Sequence, residues 1–187
     1  MIMQITQYTN EVIKELNRAA SLISEETAQS LVDRIMKAEK IFVAGAGRSG
    51  LMMRAFAMRM MHMGLQVYVV GESVTPGLAE ADLLIIGSGS GETKSLLSMA
   101  SKAKSLGAGV AIATVNPESS IGLLADIVIQ IPALSKDTSD GGLTSIQPMG
   151  SLFEQSLLLL FDSIILQMMD KLNLDSSAMF GKHANLE

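Results

Sequence analysis

An apolar run, Leu83-Leu84-Ile85-Ile86, breaks at Gly87-Ser88-Gly89-Ser90-Gly91-Glu92-Thr93, and a stretch of helical character follows from Lys94. A short apolar run bounded by glycine predicts a buried strand, so the loop is expected to join a strand's carboxyl end to a helix's first turn. Such a junction commits the chain to strand-then-helix units. It also makes an anion site, because free backbone N–H groups and the positive end of the helix dipole face any bound oxyanion there. An ordinary capped turn needs one glycine and one Ser or Thr. Glycines alternating with hydroxyls favour a phosphate or sugar-phosphate cradle, with Ser88, Ser90 and Thr93 as side-chain donors.

The same pattern occurs once more upstream. Ile41-Phe42-Val43-Ala44 runs into Gly45-Ala46-Gly47-Arg48-Ser49-Gly50, and a methionine-rich helix is expected from Leu51 to Met63, ended by Gly64. Further strands are expected at 67–70, 109–114 and 127–129, with a short helix over 120–124. Before the first strand, Ile5, Tyr8, Val12, Leu16, Ala19 and Ile23 recur at helical spacing, and Ser24 caps a second helix lined by Ala28, Leu31, Val32 and Ile35. Alternating strands and helices predict one α/β domain over 1–187, a three-layer sandwich around a five-stranded parallel, doubly wound, flavodoxin-like sheet. Its expected parts are N-terminal helices at about 4–38, an α/β core at about 40–131, a site loop at 132–150 and a C-terminal helix with tail at 151–187. The loop, rich in Ser, Thr, Asp and Gly, is too long for a plain connection. The last helix is apolar all round at Leu157 to Phe161 and needs cover on every side, which predicts a homo-oligomer.

Composition narrows the chemistry. The net charge is −5 and the 14 Lys and Arg form no basic run, which argues against a nucleic-acid surface, so an anionic ligand must be held locally. Without cysteine there is no disulfide, thiolate nucleophile or thiolate metal site, and two histidines do not make a zinc centre. A cytoplasmic protein without metal or cofactor is expected. Met1 to Tyr8 has no basic start or apolar core of a secretion signal. Leu152 to Met169 is the most membrane-like segment, but Glu154, Gln155, Asp162 and Gln167 mark it as a buried helix rather than a span.

Gly45, Gly47 and Gly50 also spell the G-x-G-x-x-G of dinucleotide sites, with Glu72 about where a ribose-binding acid would stand. Arg48 and Ser49 at the variable positions, together with the second loop, favour phosphate instead. Ser151-Leu152-Phe153-Glu154 reads as a capping box, with Glu154 reaching back to the N-cap backbone. His62, near a helix end, suits an imidazolium facing the dipole as well as it suits a site role. His183 lies in a polar tail, and the clustered methionines Met52, Met53, Met58, Met60 and Met61 read as adaptable packing.

The loops GAGRSG and GSGSGET in one small α/β chain resemble the sugar isomerase (SIS) domain, over residues about 25 to 170. The resemblance implies that Ser88, Ser90 and Thr93 hold a phosphate, with Gly47, Arg48 and Ser49 of the first loop contributing. Ser145-Ile146-Gln147-Pro148-Met149-Gly150-Ser151-Leu152-Phe153-Glu154-Gln155 and the tail from Gly181 narrow it to the 6-phospho-3-hexuloisomerases. Membership there implies isomerisation of D-arabino-hex-3-ulose 6-phosphate to D-fructose 6-phosphate in the ribulose monophosphate route of formaldehyde fixation. It further implies Glu154 as the proton-transferring base, His183 as a second catalytic residue, no metal, a tetramer sharing sites between subunits, and coupling to a 3-hexulose-6-phosphate synthase. Another phosphosugar isomerase, or a non-catalytic phosphosugar sensor, are the alternative expectations; His62 and Glu72 are possible secondary site residues.

Overall fold

The computed structural model describes residues 2–133 and 145–186. Two helices, α1 (Ile5–Ala20) and α2 (Glu25–Lys37), precede β1 (Ile41–Gly45); α3 (Gly47–His62), β2 (Val67–Val69), β3 (Leu83–Gly87), α4 (Lys94–Ser105), β4 (Gly109–Thr114), α5 (Ser120–Leu124) and β5 (Ile127–Gln130) follow. The chain closes with α6 (Ser151–Leu172) and α7 (Ser176–Phe180). All strand pairs are parallel, in the order β2-β1-β3-β4-β5, so the expected five-stranded doubly wound sheet is what forms. Most of the site loop expected over 132–150, namely 134–144, lies outside the described residues.

The pleat explains the layers. Alternate strand residues Ile41, Val43, Leu83, Ile85, Ala111 and Ala113 face a core formed with α2, α3 and α6, while Phe42, Ala44, Leu84, Ile86, Val110 and Ile112 face α4 and α5. Being buried on both sides, β1 and β3 read as continuous apolar runs rather than alternating ones. By length and composition α6 could cross a membrane, yet ten of its residues are buried and the Phe161 ring stacks on Phe56 of α3 at 4.1 Å between centroids. It is the central helix of the larger core, as its interspersed polar residues suggested.

Buried Asp82 sets the entry to β3. Its carboxylate accepts from the N–H groups of Ala79 (2.7 Å) and Lys40 (3.1 Å) and pairs with the Lys40 ammonium at 3.2 Å, tying the starts of β1 and β3 together. In the other crossover, Asp126 accepts from Val110 N–H at 2.8 Å and pairs with Lys104. Burial would raise the Asp126 carboxyl, but the bonds from Lys104 and Val110 outweigh it and hold the group below the usual aspartate range.

One boundary differs from the sequence expectation. Helix α3 starts at Gly47, not Leu51, so Arg48, Ser49 and Gly50 form its first turn. A strand packed this tightly on the following helix demands glycine at the contact: a Cβ on Gly50 would stand 2.7 Å from the Gly45 carbonyl oxygen. Gly50→Ala should therefore cost about 1–3 kcal/mol, lowering Tm by roughly 2–4 °C per kcal/mol. Gly77→Ala, where an added Cβ meets nothing within 4 Å, is the control and should leave the thermal unfolding curve in place; equal curves for the two variants would refute the close-packing account.

Candidate active site at the carboxyl edge of the sheet

In a doubly wound sheet, the chain leaves adjacent strands toward opposite faces at one point and opens a crevice there. Here that point lies between β1, whose chain continues into α3 on one face, and β3, whose chain continues into α4 on the other. Both glycine loops end these two strands, where Gly45 pairs in register with Gly87. The sequence-expected cradle and the topological crevice coincide.

The second loop is shaped by its own hydroxyls. Buried Ser88 accepts from Gly91 N–H at 3.2 Å, and exposed Ser90 accepts from Glu92 N–H at 3.2 Å. Behind it, Thr114 at the end of β4 donates to Gly89 O at 3.1 Å. Glu92 turns away from the crevice and accepts from Ser120 N–H at 2.6 Å, a bond that holds its carboxyl below the usual range and fastens the loop to α5. Thr93 is the N-cap of α4, but its hydroxyl makes no capping bond. Helix geometry leaves the N–H groups of the first α4 turn without intrahelical acceptors. Ser90, Thr93 and this first turn therefore leave hydroxyls and N–H groups at the edge of the crevice, whereas the Ser88 hydroxyl is engaged in holding the loop.

Helix α6 arrives over the same crevice. Gly89 faces Phe153 so closely that a Cβ there would stand 3.2 Å from the ring, which brings the first turn of α6 directly onto the cradle loop. Glu154 lies on that turn. The capping box is not formed: the N-cap is Gly150, Ser151 is already helical, and no side chain caps the helix. Instead Arg48 Nη1 donates to Glu154 Oε2 and to Ser151 Oγ, both at 2.9 Å. A guanidinium offers a stronger, charge-assisted partner than the helix's own N–H, which is why the carboxylate turns outward to α3. Arg48, Ser49 and Gly47 thus share one turn, and Arg48 is engaged with α6 rather than left open as a simple phosphate ligand.

Three candidates lie elsewhere. Glu72 pairs with Arg54 on the outer side of α3, away from the nucleotide-type role its spacing suggested. His62 is buried at the far end of α3, roughly 22 Å along the helix from Gly47 at 1.5 Å per residue. Its environment opposes the helix-end dipole: burial, then the positive charges of Arg59 and His183, push the His62 pKa down. His183 stacks on His62 at 5.3 Å between ring centroids. The two rings line a hollow of about 390 Å³ with Arg59, Asp162, Ser176 and Phe180. Within one chain, therefore, Glu154 and His183 are at opposite ends of α3.

The sequence reading missed Thr114 and Glu15, and placed Ser151 only in a capping box, not as a partner of Arg48. Thr114 closes an apolar strand with a hydroxyl, a signal available in the sequence; the partners of Ser151 and Glu15 are more than 100 positions away and leave no local signal. Among the described residues no group of three or more His, Cys, Asp or Glu is arranged to hold a metal ion.

Residues 34–159 match the SIS domain family model. Over 185 residues the chain is 58% identical to a 3-hexulose-6-phosphate isomerase of Bacillus subtilis, covering 99% of this chain and all of that one. It is 40% identical to a 3-hexulose-6-phosphate isomerase of Mycobacterium gastri over 98% of this chain and 92% of the other. A crystal structure from Methanococcus jannaschii, from which a 3-hexulose-6-phosphate isomerase function was inferred, superposes with a TM-score of 0.80 at 37% identity, covering 96% of this chain and 97% of that one. With two glycine loops meeting at the switch point of a parallel five-stranded sheet and these full-length likenesses, the chain belongs to the SIS domain family.

Proposed function

We propose that this protein interconverts D-arabino-hex-3-ulose 6-phosphate and D-fructose 6-phosphate, in the ribulose monophosphate route and in the cytoplasm, downstream of a 3-hexulose-6-phosphate synthase. The observation that carries the proposal is the Glu154 carboxylate on the α6 turn that covers the GSGSGET loop, in a chain similar over its whole length to proteins named for this isomerisation. The phosphate sits on Ser90, Thr93 and the first turn of α4, where dipole and N–H groups supply the positive potential that a chain of net charge −5 lacks overall.

Moving the carbonyl from C3 to C2 takes a proton from C2 and delivers one to C3 through a 2,3-enediol, while the hydroxyl proton passes from O2 to O3. One carboxylate serves both carbons, and Glu154 is the group in place to do so. Arg48 holds Glu154 through Nη1, and its remaining N–H groups offer positive charge to the enediol oxygens as they develop. The 3-keto sugar phosphate enters open-chain, because its C3 carbonyl has no free hydroxyl at the right distance for a five- or six-membered ring once O6 is esterified. Ring opening is required only from the fructose side, a role suited to His183.

A His183 contribution requires a second subunit, since its own Glu154 lies at the other end of α3. Exposed Leu159 and Leu166 on α6, and Leu51 and Met58 on α3, recur at helical spacing and supply apolar faces for a tetramer.

Conversion of hexulose 6-phosphate, made in situ and followed as fructose 6-phosphate, tests the activity. Glu154→Gln keeps an acceptor for Arg48 but loses the base, so turnover should fall about 10²- to 10⁴-fold with KM little changed; a rate near wild type would remove Glu154 as the proton carrier. Ser90→Ala should weaken inhibition by inorganic phosphate by about 10- to 150-fold, the equivalent of one hydrogen bond to a charged group at about 1.5–3 kcal/mol, and an unchanged inhibition constant would clear Ser90 of phosphate contact. Assayed in the reverse direction from fructose 6-phosphate, where the ring must open, co-expressed Glu154→Gln and His183→Ala chains should regain up to about a quarter of wild-type activity in mixed oligomers, because some sites then pair intact residues from two subunits. No regain above the two inactive parents, or a monomer by light scattering, would refute the shared site.

A further inference from the structure

Glu15, on α1, belongs to none of the glycine loops and stands 130 positions before the residues it binds. Its Oε2 accepts from Ser145 Oγ at 2.7 Å and from Gln147 Nε2 at 2.9 Å, and its Oε1 accepts from Ile146 N–H at 2.8 Å. Ser145 Oγ in turn accepts from Gln147 N–H at 3.0 Å, so three consecutive residues are closed around one carboxylate. Burial alone would raise the Glu15 carboxyl, but the bonds from Gln147, Ser145 and Ile146 outweigh it and keep the group ionised below the usual range.

The held segment leads straight into the helix that carries Glu154. Between Gln147 and α6 stand only Pro148, Met149 and Gly150, and Met149 is in the left-handed region at φ +54°, which side-chain-bearing residues rarely adopt. Met149 is 76% exposed, so its own packing does not fix that conformation. What fixes it are the ends: Ser151 N–H on Pro148 O at 3.2 Å and Arg48 on Ser151 Oγ at one side, Glu15 at the other. Strain of this kind persists only where the surroundings over-determine it, and here the surroundings are one carboxylate and one guanidinium.

We infer that Glu15 is a positioning residue for the isomerisation: by holding Ser145, Ile146 and Gln147 it fixes the left-handed step at Met149 and thereby the placement of the first α6 turn, and Glu154 on it, over the cradle loop. The inference rests on the reading of Glu154 as the proton carrier. It separates two functions that share one crevice, since the phosphate cradle is built by the β1 and β3 loops and does not depend on α1.

The full-length protein carrying Glu15→Ala should show kcat reduced about 10- to 100-fold, as expected when a catalytic group is misplaced by about 1 Å, with the inhibition constant of inorganic phosphate within about twofold of wild type. Amide exchange at residues 146–154 should accelerate while the strands of the sheet keep their protection. Glu15→Asp, with the same charge on a shorter arm, should regain part of the rate. In the Glu15→Ala background Met149→Asn, which tolerates the left-handed region, should also regain part of it. A Glu15→Ala rate within about twofold of wild type would overturn the inference, as would a fall in kcat matched by an equal loss of phosphate binding and of sheet protection, the signature of general loosening. Glu154→Gln assayed beside it keeps the two readings apart: an inactive Glu154→Gln with a fully active Glu15→Ala defeats the positioning role alone, while an active Glu154→Gln defeats the base.

Discussion

The packing of α6 against α3 governs what this molecule can do. Phe56 and Phe161 lie face to face, inclined by 3°, and Leu157 and Met53 close over Gly87 so tightly that a Cβ there would meet Met53 Sδ at 2.6 Å. The two helices are thereby fixed on one another and on the end of β3. Arg48 in the first turn of α3 meets Glu154 and Ser151 in the first turn of α6 because of that packing, with no local interaction between the two sequences needed. A buried aromatic contact at the helix middles thus sets hydrogen-bond geometry at their amino ends.

The carboxyl edge of the parallel sheet supplies what composition does not. The chain's net charge is −5, whereas the N–H groups oriented at a helix start carry a positive field that is local and fixed by backbone. Ser88, Thr114 and Glu92 serve that end by holding the loop's backbone in place, each through a hydrogen bond made inside the protein. The loop is therefore pinned by internal hydrogen bonds, while the Glu154 carboxylate approaches it from a different element on the other side of the crevice. The glycine loop and the Glu154 turn belong to separate parts of the fold, joined at Gly89 and Phe153.

Local pattern was sufficient for the sheet and for the cradle. Each strand announces itself as a short apolar run, and each strand-to-helix loop at the crevice as glycine mixed with polar residues, because burial on both faces and tight strand-to-helix packing impose those residue types directly. The capping box at Ser151 and Glu154 shows the limit of such reasoning. Its residues and spacing were right, yet a guanidinium from a helix more than 100 positions earlier outcompeted the backbone N–H, and the carboxylate turned to it. At His62, too, remote partners matter: its helix position favours an imidazolium, whereas burial and the charges of Arg59 and His183 lower its pKa.

By itself, then, the amino-acid sequence determined the order of strands and helices, the doubly wound class and the two glycine loops at the ends of β1 and β3, all properties written in contiguous residues. Only the tertiary structure decided that Glu154 is held by Arg48, that Glu72 is turned aside to Arg54, that His183 lies at the far end of α3 from Glu154, and that Glu15 grips the segment entering α6. Those outcomes depend on competition among partners remote in sequence for the same carboxylate or ring, and the winner is set by helix packing, which brings some of them within 3 Å of one another and leaves the others a helix length apart.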